Sequence, residues 1–197
     1  MLQKMNHSLL LANIAKHIVL TASKEQLLVS KFSLLQVGRK ELLIKQGEPC
    51  RHIYFILSGG IRAFHTASDG RESTIMFGIQ DWWITDMNCF VNQKVAVLSL
   101  EALEESTLMC LSWDDMEALY TQIPQFERYI RILMQNAYIR EQQRALENIT
   151  YSTEERYQRF ISKYPFISKR FTQKQIASYL GVTPEFLSTV KRKSHKS

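Results

Sequence analysis

The 197-residue sequence holds only three cysteines, four prolines and seven glycines, the residues that build disulfide scaffolds, linkers and low-complexity tracts. Cys50, Cys89 and Cys110 stand far apart with no CxxC spacing. That excludes the disulfide framework of a small secreted domain, and the expectation is three small buried or half-buried hydrophobes. No repeat with a period of about 20 to 50 residues is present, so solenoids and propellers are excluded. Long apolar runs are missing as well. The longest early one, residues 9–12, is cut by Asn13 and followed by Lys16 and His17. It is too short for a signal-peptide core or a bilayer span, so a cytoplasmic chain without membrane contact is expected. The sequence also lacks a nucleophile motif, a metal-ligand cluster, a Gly-rich phosphate loop and paired carboxylates in a defined context. The reading is therefore not an enzyme, with no metal and no cofactor evident.

What is present is enough apolar matter for a core, at 45% hydrophobic and 11% aromatic residues, and an uneven charge. From residue 151 onward there are ten Lys and Arg against three Glu, a net +7, while the first 150 residues sum to −1. The basic balance of the chain lies in its last quarter, which suits a polyanionic partner for that segment.

Along the chain, residues 8–20 and 24–33 carry helical apolar spacing, with Ser23 as N-cap of the second. Between residues 34 and 112 the texture changes to short β-branched and aromatic runs at 52–57, 61–66, 73–77, 95–100 and 107–111. The turn signals Gln46-Gly47-Glu48-Pro49, Ser58-Gly59-Gly60 and Ser68-Asp69-Gly70 separate them, the pattern of an antiparallel sandwich, barrel or roll. Helix resumes at Trp113 behind the N-cap Ser112, with Asp114 and Asp115 at the positive end of its dipole. Pro124 opens a second helix that runs to about residue 149, roughly 39 Å at 1.5 Å per residue. Phe126, Ile130, Leu133 and Ala137 follow 4-3-4 spacing, a coiled-coil seam for a homodimer. Beyond Ala137 the register meets Arg140 and Arg144, and the seam weakens or shifts toward Ile139, Leu146 and Ile149.

A helix from Thr153, with Phe160 and Ile161 inside, breaks at Pro165. Residues 172–191 then read as a helix-turn-helix. Thr172 and Gln175 form a capping box, Ile176 and Leu180 give the first helix an inner face, and small Ala177 permits a close crossing. Gly181 ends that helix at a positive φ, Thr183 caps the next and Pro184 opens its first turn. Leu187 and Val190 anchor a recognition helix over residues 184–193, leaving Glu185, Ser188, Thr189 and Arg192 outward. Lys174, Lys191, Arg192 and Lys193 are placed for phosphates, and Thr172 and Thr183 are further DNA-binding candidates. Glu185, Ser188 and Thr189 are placed for base edges, with Glu185 able to accept from a cytosine amino group.

With both halves in view, the chain resembles the CRP/FNR family of bacterial regulators over essentially its whole length. The resemblance rests on Gln46-Gly47-Glu48, Ile53-Tyr54-Phe55-Ile56-Leu57-Ser58-Gly59, Asp69-Gly70, Glu101-Ala102-Leu103 and the helix-turn-helix. It implies an α+β fold: an N-terminal double-stranded β-helix (a β-roll of the cyclic-nucleotide-binding type), a long central dimerisation helix and a C-terminal helix-turn-helix domain. The expected divisions are 1–122, 123–150 and 151–197. It also implies a dimer on palindromic promoter DNA, transcription regulation with RNA polymerase as a further partner, and a small-molecule effector in the roll. Matching the family's phosphate-binding cassette places Thr85, Asp86 and Met87 where cyclic-AMP binders carry Gly-Glu-Leu. Ala96 and Val97 fall where those binders carry an Arg-Ser or Arg-Thr clamp.

Neither Ala96 nor Val97 can pair with a phosphate, and losing a bidentate clamp removes most of a micromolar affinity. The effector region is accordingly expected around Trp82, Trp83, Thr85, Asp86, Met87, Ala96 and Val97, unresponsive to cyclic AMP. Three dispersed cysteines do not make an iron–sulfur sensor, and His7, His17, His52 and His65 have no spacing that marks a haem ligand. Thr189 stands where many relatives carry Arg, which alters the expected half-site. The alternative reading is a small-molecule-binding protein whose DNA reader has decayed.

Overall fold

The computed structural model describes residues 7–194, with side chains described through Arg192. Two short helices, α1 (Ser8–Ala15) and α2 (Ala22–Ser30), precede the strands. Thr21, two residues earlier than Ser23, caps α2 by accepting from the Lys24 amide. The strands are β1 (Ser33–Val37), β2 (Leu42–Ile44), β3 (His52–Ser58), β4 (Gly60–Thr66), β5 (Glu72–Ile79), β6 (Trp83–Ile84), β7 (Ser99–Ala102) and β8 (Ser106–Ser112). A short helix, α3 (Met87–Asn92), lies between β6 and β7.

All pairings between these strands are antiparallel and form two four-stranded sheets, β1-β8-β3-β6 and β2-β7-β4-β5. This is one of the antiparallel arrangements expected from the spacing of turn signals, and the roll that the family resemblance implied. Residues 95–98 differ from the expectation of a strand over 95–100: Val95 makes only an isolated bridge to Pro49, and the strand proper begins at Ser99. Gln93, with φ 52°, turns the chain out of α3, and the Val97 and Leu98 amides then donate to the Asp86 carboxylate.

Ile56 and Leu108 of one sheet and Ile61, Ala63 and Leu100 of the other are fully buried in the core, and Ile53, Phe55 and Leu111 are buried on the opposite face of the first sheet. Gly59, at φ 97°, makes the β3–β4 turn; a Cβ there would stand 2.1 Å from the Ser106 hydroxyl oxygen. That hydroxyl accepts from the Gly60 amide, so the turn closes on β8 only without a side chain.

Ser112 caps α4 (Trp113–Gln122), and Pro124 opens α5 (Pro124–Thr150). The expected dimer seam is corrected at its first half. Phe126 and Ile130 are buried in the roll's own core, beside Tyr129, and Leu133 packs partly against it. The heptad spacing there reflects docking onto the roll. Beyond Leu133 the helix is largely exposed, with Ile139, Leu146 and Ile149 bare.

The C-terminal helices are α6 (Thr153–Lys163), α7 (Pro165–Arg170), α8 (Gln173–Leu180) and α9 (Pro184–Ser194). Ser152–Glu155 and Thr172–Gln175 both form capping boxes, and Gly181 ends α8 at φ 70°.

The cysteine expectation also needs correcting. Cys110 is a free buried thiol, but Cys50 and Cys89 are joined in a disulfide, with Cα atoms 6.0 Å apart. Their 39-residue separation hid a contact that only the packing of α3 on the β2–β3 connection creates. Among the described residues no helix is long and apolar enough to cross a membrane.

Replacing Gly59 by Ala should cost roughly 2–4 kcal/mol of stability, from left-handed backbone strain together with the clash at Ser106. Urea denaturation of the two proteins checks this; an unchanged midpoint would refute the account of the turn.

Candidate functional site

The region matched to the cyclic-nucleotide cassette is closed from within. Asp86 is only 2% exposed, and both carboxylate oxygens are engaged with the backbone. Oδ1 accepts from the Cys89 amide at 3.2 Å, capping α3, while Oδ2 accepts from Val97 and Leu98 at 2.7 and 3.0 Å. Asp86 is one of the residues expected in the effector region. Instead it ties α3 to the 96–98 segment and has no acceptor directed at a ligand. Thr85 is buried and donates its hydroxyl to the His52 carbonyl at 2.9 Å. Ala96 is in the roll core, and its backbone is paired with Gly47 and Glu48. Met87 and Val97 are exposed.

The two tryptophans also leave this region. Asp81, at φ 71°, turns the chain so that its successors diverge. Trp83 packs into the roll core against Phe55 and Phe32, and its indole N–H donates to the Tyr129 hydroxyl of α5 at 2.7 Å. Trp82 turns outward and meets the Tyr164 ring of the C-terminal helices edge-on at 5.8 Å. The predicted effector residues are thus dispersed among the core, the helix junction and the surface, and do not converge on one cavity. The Tyr129 hydroxyl in turn donates to Asn13 of α1, and Asn13 donates to both the carbonyl and the carboxylate of Asp81. A buried polar chain thereby joins α1, the Asp81 turn and α5.

Sequence reasoning missed the surface on which the C-terminal helices rest. Phe77 of β5 is buried among them, with ring centroids 5.0 Å from Phe171, 5.4 Å from Tyr179 and 6.4 Å from Phe160. Gly60 faces Phe171 as well; a Cβ there would lie 2.8 Å from the ring, so the missing side chain lets the ring lie against β4. Ser178 of α8 bonds with the edge of β5, accepting from the Thr74 amide at 2.9 Å and donating to the Glu72 carbonyl at 2.8 Å.

Arg144 of α5 locks the junction from a third side. Its guanidinium lies 4.2 Å over the Tyr179 ring and donates to the carbonyls of Tyr179 and Ile75. On the same sheet Arg62 pairs with Glu101 and Glu72. The sequence signal available for this surface was Phe77 itself, a large apolar residue in an alternating strand.

The helix-turn-helix residues are arranged as their spacing suggests. The Thr183 hydroxyl accepts from the Phe186 amide at 3.2 Å, and Leu187 and Val190 are buried against Ile176 and Ala177. Thr172, Lys174, Thr183, Glu185, Ser188 and Arg192 are exposed, while Thr189 and Lys191 are half-buried. Ser188 accepts from the Gln173 side chain, and Thr189 donates to the Glu185 carbonyl at 3.2 Å. The side chain of Lys193 lies outside the described residues. Among those residues no group of three or more His, Cys, Asp or Glu is placed to hold a metal.

A model of the cyclic nucleotide-binding domain matches residues 34–122, which span β1 to the end of α4. An anaerobic regulatory protein of Pasteurella multocida is 26% identical over 163 residues, covering 77% of this chain and 59% of its own length. The regulatory protein HlyX of Actinobacillus pleuropneumoniae is 26% identical over 172 residues, covering 82% and 71%. The chain thus matches the cyclic nucleotide-binding domain over residues 34–122 and is similar to bacterial regulatory proteins over a longer stretch. It spans less than two thirds of the Pasteurella relative but more than two thirds of HlyX. Among solved structures, the c-di-GMP-responsive global regulator CLP of Xanthomonas campestris superposes with a TM-score of 0.74 at 14% identity. The match covers 89% of this chain and 92% of that one and shows a shared fold.

Truncating Phe77 to Ala should cost about 3–5 kcal/mol and loosen the C-terminal helices from the sheet. Limited proteolysis should then cut between α5 and α6, at a site resistant in the wild type. An unchanged cleavage pattern would count against this role for Phe77.

Proposed function

We propose that the chain is a dimeric, DNA-binding transcription regulator of the CRP/FNR type that does not respond to cyclic AMP. The proposed division is a sensor over 1–122, a linking helix over 123–150 and a reader over 151–197, acting in the cytoplasm. The observation that carries the reading is the outer face of α9. Glu185, Ser188 and Arg192 are exposed there, on a segment whose sequence is strongly basic, while Leu187 and Val190 hold the helix from behind. Thr172, Lys174, Thr183, Lys191, Arg192 and Lys193 then serve phosphates, and Glu185, Ser188 and Thr189 the base edges. RNA polymerase is a further partner of such a regulator at its promoters.

The proposed dimer uses the exposed half of α5. Ile132, Ile139 and Leu146 recur at seven-residue spacing, and the latter two are exposed, with Ile149 following them. A second copy would cover this stripe, and two-fold symmetry would present two recognition helices one turn of DNA apart. The lack of cyclic-AMP response follows from the occupied Asp86 carboxylate and from Ala96 and Val97 at the clamp positions. These features leave the cyclic phosphate without a cationic partner at that point.

Selection of bound fragments from a genomic pool, followed by fluorescence anisotropy over a salt series, tests the function. Binding should weaken steeply with salt. Arg192→Ala should weaken binding to every fragment and reduce the slope of log K against log salt by about 0.9. Absence of retained fragments at low salt would refute the reading.

Light scattering should report a dimer for the wild type and a monomer for an Ile139→Lys/Leu146→Lys double variant. A monomeric wild type at micromolar concentration would remove the dimer.

A further inference from the structure

Cys50 and Cys89 lie at a structural crossing. Cys50 ends the β2–β3 connection, which the Pro49–Val95 bridge pins to the segment after α3. Cys89 sits inside α3, whose N-cap Asp86 also binds Val97 and Leu98. Both cysteines are buried, at 4% and 0% exposure. A bond between their sulfurs therefore fastens α3 to the roll.

The surroundings also suit the sulfurs when that bond is open. The Lys94 carbonyl lies 2.8 Å from the Cys89 sulfur, and the Asp86 carbonyl 3.8 Å from the Cys50 sulfur, so each thiol has an acceptor. The Cys50 amide lies 3.1 Å from the Cys89 sulfur, placed to stabilise a thiolate there. A bond needed only for stability requires none of these partners. In the reducing compartment proposed above, a transient or redox-sensing disulfide is the usual kind.

We propose that Cys50 and Cys89 are a reversible dithiol–disulfide couple, oxidised by hydroperoxides, that sets how firmly α3 is held. One thiolate attacks a peroxide oxygen, the O–O bond breaks, and a sulfenic acid forms with release of the alcohol or, from hydrogen peroxide, water. The second thiol then attacks that sulfur, the S–S bond forms, and the sulfenic oxygen leaves as water. Two thiols and one hydrogen peroxide thus give one disulfide and two waters, and a dithiol reductant returns both electrons and protons.

The surface that responds is α3. Met87 and Val91 are exposed on it, and Val95 and Val97 are exposed on the segment that follows. Cys110 provides the internal contrast. It is also buried, and burial pushes its thiol up to about 11, but it is free, with no disulfide partner.

The test uses the full chain reduced with dithiothreitol, desalted without oxygen and titrated with hydrogen peroxide. Titratable thiols counted after denaturation should fall from three to one. Peptide mapping should join the Cys50 and Cys89 peptides, and fresh dithiothreitol should reverse both results without denaturant. Cys50→Ser should abolish the loss of two thiols as a linked pair, whereas Cys110→Ser should keep it.

Hydrogen–deuterium exchange should show α3 amides exchanging on the order of tenfold faster in the reduced wild type than in the oxidised one. The reduced form should also melt roughly 10 °C lower. The proposal is overturned if three thiols survive peroxide, if Cys110 is consumed instead, or if reduction requires denaturant. It is equally overturned if α3 exchanges alike in both states. Each readout is independent of DNA binding, so failure here and failure of the regulator reading are separable.

Discussion

The ring of Phe77 belongs to the sheet by backbone pairing and to the C-terminal helices by packing. It pairs with Arg62 across the β4–β5 ladder, yet its aromatic neighbours Phe160, Phe171 and Tyr179 all come from helices α6 to α8 or their connections. The cluster around α8 and α9 is therefore completed by a residue from the roll. A small helical unit of about 45 residues buries little apolar surface alone, and the ring borrowed from the roll adds to its own buried residues. The same constraint fixes where the helix-turn-helix points. The Ser178 bonds to Thr74 and Glu72 set α8 along the β5 edge, and α9 follows from α8 through Gly181.

Two other groups tie the long helix into this arrangement. Trp83 and Tyr129 join the roll to α5, while the adjoining Trp82 reaches Tyr164. Farther along α5, Arg144 grips Tyr179 and Ile75 together. The Asp81 turn is thus a branch point at which neighbouring rings serve different bodies. The turn thereby touches α5 through Trp83 and the α6–α7 junction through Trp82.

Much of this was legible in the sequence, and the reasons are physical. Caps and turns act locally, so Thr172, Gln175, Gly181, Thr183 and Pro184 announced the helix-turn-helix, and Ser112 and Pro124 announced α4 and α5. Short β-branched runs between turn signals announced an antiparallel β unit, and the resemblance singled out the roll. What stayed hidden depends on contacts distant in sequence. Phe126 and Ile130 have the spacing of a dimer seam, but periodicity reports only that a face is apolar, and here the roll covers it. Asp86 looks like a ligand-binding carboxylate until Val97 and Leu98 fold over it. Cys50 meets Cys89, and Phe77 enters a helical cluster, only because tertiary packing brings them there.

The central claim is that the C-terminal helices are seated on β5, and the Thr74 amide reports this most directly. Its hydrogen is donated to Ser178 of α8, across the free edge of the sheet. Residue-resolved hydrogen exchange on the native full chain should find this amide protected, with protection that opens together with α8. Exchange of Thr74 at the rate of an uncovered edge-strand amide, while the amides of β4 remain protected, would contradict the account.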